Sequence, residues 1–122
     1  MTGWTRALII TPALGLAVTL TVSAHMAYSK SMPAEDAALA ESPSELQVWF
    51  TQDPEPAVSQ LSLEGPTGDI ALGETKVASD RSIVAALEDT LGPGEYTVKW
   101  RSAGDDGHVL RGDFSFTVRA AN

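Results

Sequence analysis

Apolar residues recur at every second position through much of the chain. In Leu46-Gln47-Val48-Trp49-Phe50-Thr51, Leu46, Val48 and Phe50 share one parity. Leu61 and Leu63 alternate with Ser62 and Glu64, and Ile70 and Leu72 repeat the pattern briefly. Tyr96, Val98 and Trp100 alternate with Thr97, Lys99 and Arg101, and Phe114, Phe116 and Val118 with Ser115, Thr117 and Arg119. A period of two places alternate side chains on opposite faces of a strand, so each segment predicts a half-buried strand. Residues 82–87 form a further candidate strand with a continuous apolar run. Turn signals lie between these segments: Asp53-Pro54-Glu55-Pro56, Gly65-Pro66-Thr67-Gly68-Asp69 and Gly92-Pro93-Gly94. Short strands at this spacing predict an all-β, antiparallel Greek-key β-sandwich. No long stretch carries a helical period; residues 33–40 read as one helical turn or a loop.

The N-terminus follows a different pattern. Residues 1–6 carry one positive charge, Arg6, and residues 7–22 are apolar except for Thr, Pro and Gly. Val22-Ser23-Ala24 then supplies small residues where a signal peptidase cuts. This order predicts a secretory signal over 1–24, cleaved after Ala24, and a single mature domain over 25–122. The alternative is an uncleaved membrane anchor, for which the run is short and interrupted by Pro12 and Gly15.

The expected mature part holds 7 basic and 16 acidic residues, a balance of −9. Such a surface repels nucleic acid and anionic membrane. The chain has no cysteine, which removes disulfides and thiolate sites for zinc, iron–sulfur clusters or Cu(I). Phosphate-binding glycine loops, His-Glu-x-x-His and GxSxG motifs are missing, and an enzyme is not favoured.

Only two histidines occur. After cleavage His25 is the first residue, and its α-amine and imidazole Nδ1 can close a chelate ring on a metal ion such as Cu(II). It is equally a histidine that merely follows a cleavage site. His108 lies in Gly104-Asp105-Asp106-Gly107-His108. On an extended backbone Asp106 and His108 point to one side, toward a common ion. Asp-Gly is also a common turn pair, so the segment reads too as a hairpin turn between 96–101 and 114–118.

The ordered motifs resemble the copper resistance protein C (CopC) family. His25-Met26-Ala27-Tyr28-Ser29-Lys30-Ser31-Met32-Pro33-Ala34 is similar to its mature N-terminus, where a hydrophobic residue follows His and then Ser-x-Pro-Ala. Pro93-Gly94-Glu95-Tyr96-Thr97-Val98-Lys99-Trp100 is similar to its Pro-Gly-x-Tyr-x-Val-x-Trp strand. Asp106-Gly107-His108 and Gly112-Asp113-Phe114-Ser115-Phe116-Thr117-Val118 resemble its Asp-Gly-His and Gly-x-Phe-x-Phe-x-Val block.

The resemblance implies about seven strands in a cupredoxin/immunoglobulin-like sandwich. It implies a periplasmic protein, expected as a monomer, that carries or buffers copper in resistance or uptake. One Cu(II) ion would be held by His25, through amine and imidazole, with Asp106 and His108. An inner-membrane copper transporter of CopD type is the implied partner. Zn(II) would accept the same donors but favours a tetrahedron.

Four departures stand out. The mature part has only Met26 and Met32, not a Met-rich Cu(I) loop, and Ala27 replaces a second early His. Asp105 takes a usually small position, and Tyr28 a usually aliphatic one. Two further readings are a copper oxidase or monooxygenase using an N-terminal His brace, and a metal-free immunoglobulin-like interaction module.

Overall fold

A computed structural model describes residues 25–121, with Gly3 and Gly15 before them. The expected leader and its cleavage point therefore lie outside the described residues.

Nine strands form two sheets among the described residues. In chain order they are β1 (Tyr28–Met32), β2 (Ala38–Leu39), β3 (Glu45–Phe50), β4 (Gln60–Gly65), β5 (Gly68–Ile70), β6 (Lys76–Ala78), β7 (Ser82–Ala86), β8 (Gly94–Ala103) and β9 (Val109–Val118). One sheet has the order β1-β3-β7-β6 and the other β2-β9-β8-β4-β5. The chain crosses between sheets after β1, β2, β3, β5 and β7, as the sandwich expectation requires. The count exceeds the expected seven because β2, β5 and β6 are strands of two or three residues. One pair departs from antiparallel order: β2 runs parallel to β9, with Ala38 beside Thr117 and Leu39 beside Val118. Residues 33–40 are thus a loop ending in a short edge strand, pinned by the Asp36 amide donating to the Ser115 carbonyl at 2.7 Å.

The alternation seen along the sequence becomes the core. Leu46, Val48 and Phe50 of β3 are buried, as are Leu61 and Leu63 of β4, Tyr96 and Val98 of β8, and Phe114, Phe116 and Val118 of β9. Apolar faces of two sheets thereby leave water together, which is the main favourable term in folding. Tyr96 and Phe116 sit directly opposite in the β8–β9 ladder with rings stacked at 5.6 Å. The Tyr96 hydroxyl donates to the Gly92 carbonyl at 2.7 Å, so its polar end is satisfied at the core edge. Tyr28, the unusual aromatic of β1, stacks on Trp100 at 5.9 Å and is absorbed by packing.

Trp100 faces Gly112 across the ladder. A Cβ at position 112 would lie 2.4 Å from the indole Cζ2, so only glycine admits the ring there. The hairpin of β8 and β9, with ten residues in each strand, carries loop 104–108 at one end of the sandwich, beside the start of β1.

Candidate metal centre

Three elements bring the two histidines together. The first is the segment before β1. Met26 is buried in the core at 4% exposure, which anchors the chain one residue from His25. Ala27 is then clamped to Thr51: its amide donates to Thr51 Oγ1 at 2.9 Å, and its carbonyl accepts from the Thr51 amide at 2.9 Å. His25 is therefore held over the end of the sandwich.

The other two elements are β8 and β9, whose connecting loop supplies the partners. The Gly107 amide donates to the Gly104 carbonyl at 3.1 Å, closing a turn. Gly107 then takes φ 77°, a conformation that costs glycine little and a side-chain-bearing residue more. Asp106 Oδ1 accepts the His108 amide at 3.1 Å, and this fixes the carboxylate. The extended i, i+2 geometry expected for Asp106 and His108 is thus replaced by a turn, which still sets the two side chains beside each other. The segment is a hairpin loop as well, because both sequence readings describe the same residues.

His25 Nδ1 lies 3.1 Å and His108 Nδ1 3.0 Å from Asp106 Oδ2. The two imidazole rings meet edge-on with centroids 5.5 Å apart. One donor atom from each of His25, Asp106 and His108 lies within 4.8 Å of the others, and all three residues are exposed. With Met26 and Leu110 they line an open depression of about 380 Å³.

The hydrogen bond from His25 is the first cause, and those from the His108 backbone and side chain the next, that hold the Asp106 carboxyl at about 2 against an ordinary 3.8. A lowered carboxylate favours the folded state above its unfolded value. That contribution is lost as the pH falls from near 4 toward 2.

Asp105 points elsewhere. It lines a separate depression with Asp53, Glu55 and Arg81. Thr51 and Met26 are the positioning residues. Met26 stood in the sequence only as the hydrophobic residue of the family motif, whereas the Thr51 clamp is a tertiary contact with no local signal.

A β-sandwich that presents an exposed His–Asp–His cluster between its N-terminal segment and its last hairpin has the form of a metal-binding domain. Comparison with known proteins identifies the lineage. The CopC domain family matches residues 28–119, and the chain belongs to that family. It is 28% identical over 105 residues to protein YobA of Escherichia coli K12, covering 84% of this chain and 85% of that one. It is 28% identical over 120 residues to an Escherichia coli copper resistance protein C, covering 91% and 94%. The crystal structure of CopC from Methylosinus trichosporium OB3b superposes with a TM-score of 0.72 at 28% identity, over 80% of this chain and 97% of that one.

Among the described residues, no helix is long and apolar enough to cross a membrane.

Proposed function

We propose that this protein is a periplasmic copper carrier or buffer that binds one Cu(II) through His25, Asp106 and His108 once residues 1–24 are removed. The observation that carries this reading is the convergence of two imidazoles and a carboxylate within 4.8 Å in a CopC-family chain. The donor set fits the cargo. Cleavage adds an α-amine at His25, giving three nitrogens and one oxygen, and Cu(II) favours such donors in a tetragonal plane. Asp106 is held ionised and oriented, so no proton has to be displaced from it when a cation binds.

A carrier is favoured over a His-brace oxidase because Asp106 fills the position that a copper enzyme leaves open for its substrate. The sole methionines after residue 24 are Met26 and Met32, which argues against a separate Cu(I) site. A CopD-type inner-membrane transporter is the partner that the family resemblance suggests, with the protein acting as a monomer.

The test is a spectroscopic titration of the exported protein. One equivalent of Cu(II) should bind tightly and give a tetragonal paramagnetic spectrum with nitrogen couplings. Two tight equivalents, or firmer retention of Cu(I) than Cu(II), would overturn the assignment. Absence of any binding would favour the metal-free interaction module.

Asp106→Ala removes a proposed direct ligand, so it is expected to weaken binding by more than the ~10–100-fold that losing an outer-shell partner costs, and to alter the spectrum. Asp105→Ala, whose carboxylate lines another depression, should change affinity no more than about 2-fold, through long-range charge alone. Isothermal titration of both variants decides the ranking.

Binding also competes with protons. Asp106 stays anionic until the pH nears 2, so the competing sites on acidification are the nitrogens. Copper release is expected below the free imidazole value of about 6.5 and should be complete before Asp106 protonates. Visible absorbance followed from pH 8 downward reads this directly; a signal unchanged at pH 3 would remove the histidines from the ligand set.

A further inference from the structure

The outer face of the five-stranded sheet carries an arrangement that the metal centre does not explain. Arg101 of β8 and Arg111 of β9 are directly opposite in the ladder. Like charges in that relation destabilise a strand pair. The chain has 8 basic residues and 16 acidic ones, so placing two cations against each other is against the run of its composition.

The neighbouring row behaves differently. There Lys99 faces Asp113, and Lys99 Nζ lies 2.8 Å from a Glu64 carboxylate oxygen, so its charge is compensated within the protein. Arg101 is oriented but not neutralised: Nε donates to the Val58 carbonyl and Nη2 to Gln60 Oε1, each at 3.2 Å. Arg111 is exposed and has no hydrogen-bond or ion-pair partner among the described residues. The two guanidiniums border a groove of about 450 Å³ that crosses β4, β8 and β9, with Trp100 and side-chain-free Gly112 at its floor.

We infer that this groove docks an acidic segment of a protein partner, with one side-chain carboxylate seated between Arg101 and Arg111. Guanidinium forks match carboxylates in geometry, and two of them facing one opening define a receptor for that group. A long polyanion or an anionic membrane extends beyond the groove and meets repulsion from the acidic remainder of a chain of net charge −8, whereas a short segment stays within reach of the two guanidiniums. A lone small carboxylate gains little in so open a trough, because exposed ion pairs are individually weak. A segment with several carboxylates adds contacts along the groove without paying association again at each one. The location gives the dock a use. One further register row on the same face, Ala103 beside Val109, ends at loop 104–108, and Val109 is 49% exposed there. A partner lying in the groove would rest on the same hairpin whose loop carries Asp106 and His108. The inference stands on charge and register and does not depend on what that cluster binds.

The test uses protein exported from cells expressing the full chain, with acetylated, amidated hexaglutamate as probe. The Ser62, Arg101 and Arg111 amide resonances should shift saturably, and less so as salt rises. Arg111→Glu should weaken binding by at least about 10-fold, and Arg111→Gln by less. Lys76→Glu makes the same charge change on the other sheet and should stay within about 2-fold. Because Arg111 is exposed and its removal relieves repulsion, both variants should retain the parent circular dichroism.

Four results would overturn the proposal: no saturable shift, equal loss with Lys76→Glu, binding of free glutarate as tight as hexaglutamate, or the same shifts arising from concentration-dependent self-association. The last two would mark a small-anion site and a second copy of the chain, respectively.

Discussion

A single glycine placed ahead of His25 is expected to strip the exported protein of tight Cu(II) binding while leaving its fold intact. In the unprocessed chain the His25 nitrogen is an amide, a poor donor until it loses its proton. Only when it becomes a terminal amine does it chelate together with Nδ1. The added residue touches neither the Thr51 clamp on Ala27 nor the buried Met26, so His25 itself should stay in place. The imidazoles and Asp106 are also unchanged. On the proposed ligand set, what disappears is one direct ligand and its chelate ring. The loss should therefore exceed the ~10–100-fold that removing an outer-shell partner of a metal site costs. Competition titration against a chelator of known strength measures it, and the nitrogen couplings of the paramagnetic spectrum should change. Equal affinity in both forms would show that the amine is not a ligand.

The second large effect is structural. Phe116→Ala should destabilise the domain by about 3–5 kcal/mol, because truncating a buried phenylalanine loses transfer energy and leaves a cavity. Phe116 is 1% exposed and stacks on Tyr96 at the centre of the sandwich. For a domain whose net stability is about 5–15 kcal/mol, that is a large share of the total. Its neighbour Thr117 points to the other face, so Thr117→Ala should stay within about 0.5 kcal/mol. Denaturant melts of the pair test the face assignment directly, since a slip of one residue in register would reverse the ranking.

What could be read from the sequence divides along physical lines. β3, β8 and β9 were legible because each buries one face only, so burial is written into every second residue. β1 was not, since Tyr28-Ser29-Lys30-Ser31-Met32 offers no apolar stripe and buries only Ser31 fully. It is a strand because β3 pairs with it, across a register shift between Tyr28 and Lys30. β2 and β6 are too short to show a period, and β2 exists through its hydrogen bonds to β9. In the candidate site, His25, Asp106 and His108 were each visible as residue types with metal-binding chemistry, and the spacing of Asp106 and His108 already set those two side by side. That His25 joins them was implied only by the family resemblance, because the contact depends on packing 81 positions apart. The Ala27–Thr51 clamp and the turn at Gly107 belong to that same tertiary layer.

The 81 positions between His25 and Asp106 carry a consequence for quality control. One end of the domain supplies the first donor, and the final hairpin supplies the rest. A chain clipped at the end of β8 keeps His25 but loses Asp106 and His108, and one clipped before β1 keeps the reverse. On the proposed ligand set, neither fragment can chelate the ion with all its donors. Cargo retention would then proofread the sandwich: an intact molecule holds its copper, and a nicked or half-assembled one surrenders it. A damaged copy would not persist as a sink that withholds copper from its destination.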